Sequence, residues 1–239
     1  MAGFGVAVLA TLAVAPLDKP VAGEMSEADW EKDEQLHGAS QRLAFAGGPG
    51  PFFLGAGLFT AGMLDRSSTL SGAGERITES VVLAAALTGL GKGIAGRALP
   101  GVKTSEEFQW DRGFHRGNGP FVSFPSGHTA AAFAMASAIT EETSDWQSSF
   151  EPYVGPAAYA GASAIALARI YQRVHWMSDL PLAIAIGTWS GLSVESHSRH
   201  KRTHINTVVR RIVDATTIAR TADGETLVGW SVPFVAPDR

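Results

Sequence analysis

The sequence predicts an all-α protein: a bundle of about six apolar helices that crosses a membrane several times, followed by a small β-hairpin. Three observations carry that prediction. Apolar stretches recur at 2–17, 43–64, 80–91, 129–140, 153–168 and 180–194; they lack strict alternation and are long for strands, so they read as helices buried on most sides. Glycine is abundant, at 27 of 239 residues, and small residues let membrane helices approach closely. Near the end, 216–221 and 226–232 flank Asp223-Gly224, a strong hairpin signal. A mean hydropathy of only +0.08 keeps a soluble helical domain open as the alternative.

In chain order, 2–17 reads as an uncleaved first helix. Ala13-Val14-Ala15 resembles a signal-peptidase site, but Pro16 follows directly and no basic residue precedes the apolar run. Residues 18–42 carry Glu24, Asp29, Trp30, Glu31, Lys32 and Asp33 and read as an amphipathic connecting helix on one face. The stretch 43–64 clearly reaches the ~20 residues a bilayer core requires. The stretch 80–91 ends at Lys92, and 129–140 follows Ser126, a good N-cap. Between them, 101–124 is a Gly- and charge-containing loop, equally readable as a connector or a gate. After 180–194 come Arg199, Lys201, Arg202, Arg210 and Arg211. The expected division is a helical core over 1–195 and a basic tail over 196–239 that ends in the hairpin, whose expected role is packing.

Composition excludes several chemistries. There is no cysteine, hence no disulfide framework and no thiol catalysis. The net charge is −4 and no basic stripe with aromatics appears, which argues against nucleic acid as a partner. No Asp/His cluster has metal-ligand spacing, so neither a metal nor another cofactor is expected.

The residues that carry chemistry lie in three pieces. Arg169-Ile-Tyr-Gln-Arg-Val-His175-Trp-Met-Ser-Asp179 places a guanidinium, an imidazole and a carboxylate in one segment. On a helix, His175 and Asp179 would share a face, so the carboxylate would fix the imidazole tautomer and leave the other nitrogen free to attack. Arg169, almost two turns earlier, would grip phosphate oxygens with its fork. In Pro125-Ser126-Gly127-His128, Ser126 caps a helix whose first amides favour an anion, Gly127 leaves room for a phosphate, and His128 stands beside it. Lys92, with Arg97 soon after, supplies cations where an apolar helix ends. Each residue alone has an ordinary structural explanation; their order together points to phosphoryl transfer.

These pieces resemble the signature of the type 2 phosphatidic acid phosphatase superfamily, which includes lipid phosphate phosphatases, bacterial class A acid phosphatases and vanadium-dependent haloperoxidases. The family pattern is Lys, six residues, Arg-Pro; then Pro-Ser-Gly-His; then Ser-Arg, five residues, His, three residues, Asp. The second motif is complete at Pro125 to His128. The third is present at Arg169, His175 and Asp179, with Ala168 in place of the usual Ser. In the first, Lys92 and Pro100 are in register, but Leu99 occupies the Arg position and Arg97 is the nearby guanidinium. The resemblance covers roughly residues 44–195.

The resemblance implies a metal-independent phosphatase acting on a phosphate monoester or diphosphate, on a lipid phosphate or another small phosphate ester. His175 is the expected nucleophile, His128 the acid and base, and Asp179 the orienting carboxylate. Lys92, Arg97, Arg169, Ser126 and Gly127 are the expected phosphate ligands; either Arg97 stands in for the missing Arg, or the site has one cation fewer. The basic tail places the helices in the cell's inner membrane with the site on the extracytoplasmic face. A soluble periplasmic acid phosphatase, a vanadate-dependent haloperoxidase and a non-catalytic membrane scaffold are the alternatives.

Overall fold

A computed structural model describes residues 2–27, 33–100, 120–144, 149–220 and 226–230. Two compact units divide the chain, Met1–Glu195 and Ser196–Arg239. The first holds α1 (Ala2–Val14), α2 (Asp18–Glu27), α3 (Glu34–Gly47), α4 (Gly50–Leu64), α5 (Ser68–Ala95), α6 (Gly127–Thr143), α7 (Glu151–Tyr171) and the start of α8 (Leu180–Ala215). The second holds the rest of α8 and the strands β1 (Thr216–Arg220) and β2 (Thr226–Trp230), which pair antiparallel from Thr216 opposite Trp230 to Arg220 opposite Thr226. The expected hairpin is thus present; Asp223-Gly224 and most of the loop 101–124 lie outside the described residues.

α6 is the central helix. Ala130, Ala131, Ala132, Ala134, Ala136 and Ala138 are all buried on it, which is why its sequence shows no amphipathic period. One side packs with Val81 and Ala84 of α5 and Ala183 and Ile186 of α8. The other packs with Ala162 and Ile165 of α7. Glycines set the closeness of these contacts. A Cβ on Gly187 of α8 would lie 2.3 Å from the Ala130 carbonyl oxygen of α6, and one on Gly74 of α5 would lie 2.3 Å from the Phe59 nitrogen of α4.

The outside is apolar. Val6, Leu9 and Leu12 on α1, Phe53, Met63 and Leu64 on α4, and Val82, Leu90 and Ile94 on α5 are exposed. Two helical segments, Gly3–Ser26 and Ser68–Ala95, are long and apolar enough to cross a membrane, and α3 with α4 makes a third if the bent pair is one span. This is the architecture of a membrane-associated helical protein.

Two expectations change. The stretch 43–64 is not one straight helix: α3 and α4 meet at a 52° bend. Pro49 lacks an N–H and Gly48 leaves helical geometry at φ −95°, ψ −96°, so the hydrogen-bond ladder breaks there. Nor is 18–42 one connecting helix: α3 starts afresh after the extended N-cap Asp33, and residue 18 is no break from the first helix. Helical structure continues through the 3-10 turn Ala15–Leu17 into α2, because Pro16 sits at the start of that turn, where a missing N–H costs little.

Candidate active site

The ends of α5 and α7, the start of α6 and the turn before α8 converge at one end of the bundle. α5 ends in a left-handed cap, Gly96 at φ 54°, ψ 47°, whose N–H donates to the Lys92 carbonyl at 2.9 Å. That places Lys92 on the last turn, where its ammonium donates to the Val122 carbonyl. A Cβ on Gly127 would sit 3.8 Å from Lys92 Cε, so the lysine lies beside the first amides of α6. Ser126 does cap that helix: its fully buried Oγ accepts from the Thr129 N–H at 3.4 Å and from the Thr129 hydroxyl at 2.9 Å. Its side chain is therefore turned toward the helix. His128 follows, half-buried, with Lys92, Arg169 and His175 near enough to act on its charge.

The third motif is not helical throughout. α7 stops at Tyr171, Arg173 adopts a left-handed φ of 55°, and a 3-10 turn occupies Met177–Asp179. His175 and Asp179 still meet, Nδ1 to Oδ2 at 3.4 Å, through a turn and not a shared helix face. Oδ2 of Asp179 also accepts from the Trp176 N–H at 2.9 Å and the Ser123 hydroxyl at 2.5 Å. These contacts close the turn and aim His175 Nε2 away from the carboxylate. Burial pushes the imidazole below its ordinary value, and Asp179 recovers part of that. For Asp179, burial pushes the carboxyl up, but His175, Arg97 and Ser123 outweigh it and leave the group below the usual carboxylate range.

Arg169 occupies the last turn of α7, half-buried, with one amino group donating to Gln172 and a buried Nε that has no hydrogen-bond partner among the described residues. Gln172 in turn donates to Ser40 of α3 at 3.2 Å. A cleft of about 410 Å³ opens here, lined by His37, Gln41, Arg169, Tyr171, Gln172 and Val174.

Arg97, expected among the phosphate ligands, is turned to two carboxylates. Its guanidinium is 2% exposed and is held by carboxylates, Nη1 at 2.7 Å from Asp179 and Nη2 at 2.7 Å from Asp18. Two carboxylates together outcompete a site at the edge of water for one guanidinium. Leu99 is half-buried and its N–H donates to the Pro120 carbonyl at 2.8 Å. Among the described residues no group of three or more His, Asp or Glu is arranged to hold a metal ion.

Sequence reasoning passed over Asp18, Ser123, Ser178 and Gly48. Asp18 had a signal, a carboxylate directly after an apolar helix. Gly48 had one only in hindsight of the bend: a Cβ there would lie 2.8 Å from His128 Nε2, so the broken helix lets the backbone press against the imidazole.

This convergence is that of a known family, whose model, the PAP2 superfamily, matches residues 76–202. The chain belongs to the PAP2 superfamily. The PAP2 match contains Lys92, His128, Arg169, His175 and Asp179. A lipid A 1-phosphatase of Porphyromonas gingivalis is 39% identical over 69 residues, 29% of this chain and 15% of that protein. The chain therefore matches only a small part of that relative's length. The crystal structure of a transmembrane PAP2-type phosphatidylglycerolphosphate phosphatase from Bacillus subtilis shares the fold, with a TM-score of 0.55 and 17% identity over 84% of this chain and 98% of that one.

Proposed function

We propose that this chain is a metal-independent phosphatase that hydrolyses a phosphate monoester or diphosphate through a phosphohistidine, with a lipid phosphate as substrate. The observation that carries the proposal is the pairing of a buried imidazole, His175, with Asp179 on Nδ1, facing a second imidazole and two cations. In the first step Nε2 of His175 attacks phosphorus, the ester P–O bond breaks, and His128 protonates the leaving oxygen. In the second, His128 takes a proton from water, the water oxygen attacks phosphorus, and the P–N bond breaks to release phosphate and His175. Lys92, Arg169 and the amides at Gly127 stabilise the charged oxygens throughout.

The lipid assignment is supported by the apolar exterior and by the cleft that opens at Arg169. Arg199, Lys201, Arg202, Arg210 and Arg211 follow the apolar part of α8 and support a cytoplasmic tail, hence a site on the outer face of the inner membrane.

The test is acid-free trapping of a labelled phosphoenzyme on purified protein, with phosphatidate, phosphatidylglycerol phosphate, an isoprenyl diphosphate and an aryl phosphate as substrates. His175→Ala is expected to lose both turnover and the acid-labile, base-stable adduct. His128→Ala is expected to lose far more rate on the lipid phosphates than on the activated aryl phosphate, where leaving-group protonation matters least. Turnover in His175→Ala would remove the mechanism.

A further inference from the structure

We propose that Asp18 and Arg97 are positioning residues for His175. They form a buried relay, anchored on the first helical arm, that holds Asp179 and balances the charge His175 acquires. The inference rests on the reading of His175 as nucleophile.

The relay is continuous. Asp18 Oδ1 accepts the Ser178 N–H at 2.9 Å, and Oδ2 accepts the Ser178 hydroxyl at 2.6 Å. The same Oδ2 accepts from Arg97 Nη2 at 2.7 Å, while Nη1 of Arg97 donates to Ser178 Oγ and to Asp179 Oδ1, both at 2.7 Å. The guanidinium also lies over the Trp176 ring, 5.3 Å from its centroid. Trp176 is pinned in turn, Nε1 donating to the Ala98 carbonyl at 2.7 Å. Asp18, Arg97, Ser178 and Asp179 are all 2% exposed or less. Residues 176–179, the turn that aims His175, are thereby gripped from α2 and from the segment after α5.

The charges give the relay a direction. Two carboxylates face one guanidinium, so the group carries a net negative charge while His175 is neutral. When Nε2 bonds to phosphorus the imidazole becomes cationic, and the four groups balance. Lys92 and Arg169 also face His175 and oppose that cation; Asp18 offsets them. An interaction stronger in the transition state than in the ground state raises kcat without lowering KM. Asp18 lies outside the stretch matched by the family model, and Arg97 stands two residues before the family's Arg position, so the shared motifs do not specify this arrangement.

The experiment compares wild type, Asp18→Asn, Ser178→Ala, Arg97→Lys and His175→Ala in detergent. Rates are normalised to the active fraction from the phosphoenzyme burst. Asp18→Asn keeps size and one acceptor but removes the charge, and is expected to lower kcat about tenfold or more, the scale of a misplaced catalytic group. KM, and Ki for inorganic phosphate, should stay within about twofold, as for a group that does not touch substrate. Arg97→Lys should fall further in kcat, since one ammonium cannot bridge two carboxylates, and Ser178→Ala should show the same kcat-only pattern if Asp18→Asn fails to fold. Wild-type kcat in both Asp18→Asn and Ser178→Ala would overturn the inference. So would a raised KM and phosphate Ki with unchanged kcat in Arg97→Lys, which would return Arg97 to direct phosphate binding. Turnover in His175→Ala overturns the nucleophile reading and this inference with it; its loss, together with an unaffected Asp18→Asn and Ser178→Ala, overturns this inference alone.

Discussion

Asp179 must stay ionised where almost no water reaches it. It does so because three donors and His175 surround the carboxylate, outweighing the cost of burial. His175 shows the opposite balance, with burial pushing the imidazole down and Asp179 only partly restoring it. A neutral imidazole is what a nucleophile requires. The same shift sets a pH dependence. In the unfolded chain histidine titrates near about 6.5, so below that pH the unfolded state binds more protons than the folded one. The stability His175 contributes is therefore present above about pH 6.5 and lost as pH falls from there toward its lower folded value. Asp179, also depressed, adds its loss only below the ordinary carboxylate pKa of about 3.9. Thermal unfolding in detergent should show a midpoint that declines between pH 7 and 5, and a shallower decline in His175→Gln. Equal slopes would mean that the folded imidazole titrates normally.

Between helices, glycine does two different jobs, and substitution should separate them. At the α3–α4 bend, a methyl on Gly48 would meet His128 Nε2 at 2.8 Å and Cδ2 at 3.1 Å, the tip of a side chain that is able to turn. Gly48→Ala should therefore fold but misplace His128, with a loss in kcat of up to about 100-fold and little change in unfolding midpoint. At the α4–α5 contact, a Cβ on Gly74 would meet the Phe59 nitrogen at 2.3 Å and the Gly55 carbonyl oxygen at 2.4 Å. Backbone cannot step aside without moving a helix. Gly74→Leu should cost at least the ~1–3 kcal/mol of ordinary overpacking, seen as unfolding at lower denaturing-detergent fraction. A tolerated Gly74→Leu with an unchanged midpoint would mean that the two helices are not held this closely.

Across the whole bundle, a second buried charge cluster lies far from the site. Arg76 Nε donates to Glu142 at 2.9 Å and to Glu195 at 3.0 Å, joining α5, α6 and α8. Sixteen residues separate Arg76 from Lys92 on one helix, about 24 Å at 1.5 Å per residue. At that distance its role is to fasten the bundle. Removing the guanidinium strands two carboxylates in a poorly solvated interior, so Arg76→Met should destabilise by about 3–5 kcal/mol. Combining it with Glu142→Gln and Glu195→Gln should recover much of that, and the folded fraction of each variant should keep wild-type kcat. A drop in kcat per active site would show coupling along α5 that this geometry does not contain.

The apolar stretches and the second and third motifs were enough to specify a helical membrane bundle of the PAP2 superfamily, because helix burial and motif spacing are local properties written in consecutive residues. The six stretches are recognisable in the helices, although Ser67 and Gly96 extend the third to 68–95 by capping it, which hydropathy alone does not register. What the tertiary structure decided was partnership. Asp18 and Arg97 lie 79 residues apart, and Arg97 and Asp179 lie 82 apart; no local pattern says that one arginine will face two carboxylates. The arginine nearest to a missing family ligand is therefore expected at phosphate from the sequence, whereas in space it is held between Asp18 and Asp179. The same holds for His175 and Asp179, whose spacing suited a helix although a turn brings them together. Local chemistry named the candidate groups; only the packing of distant segments determined which charge each one meets.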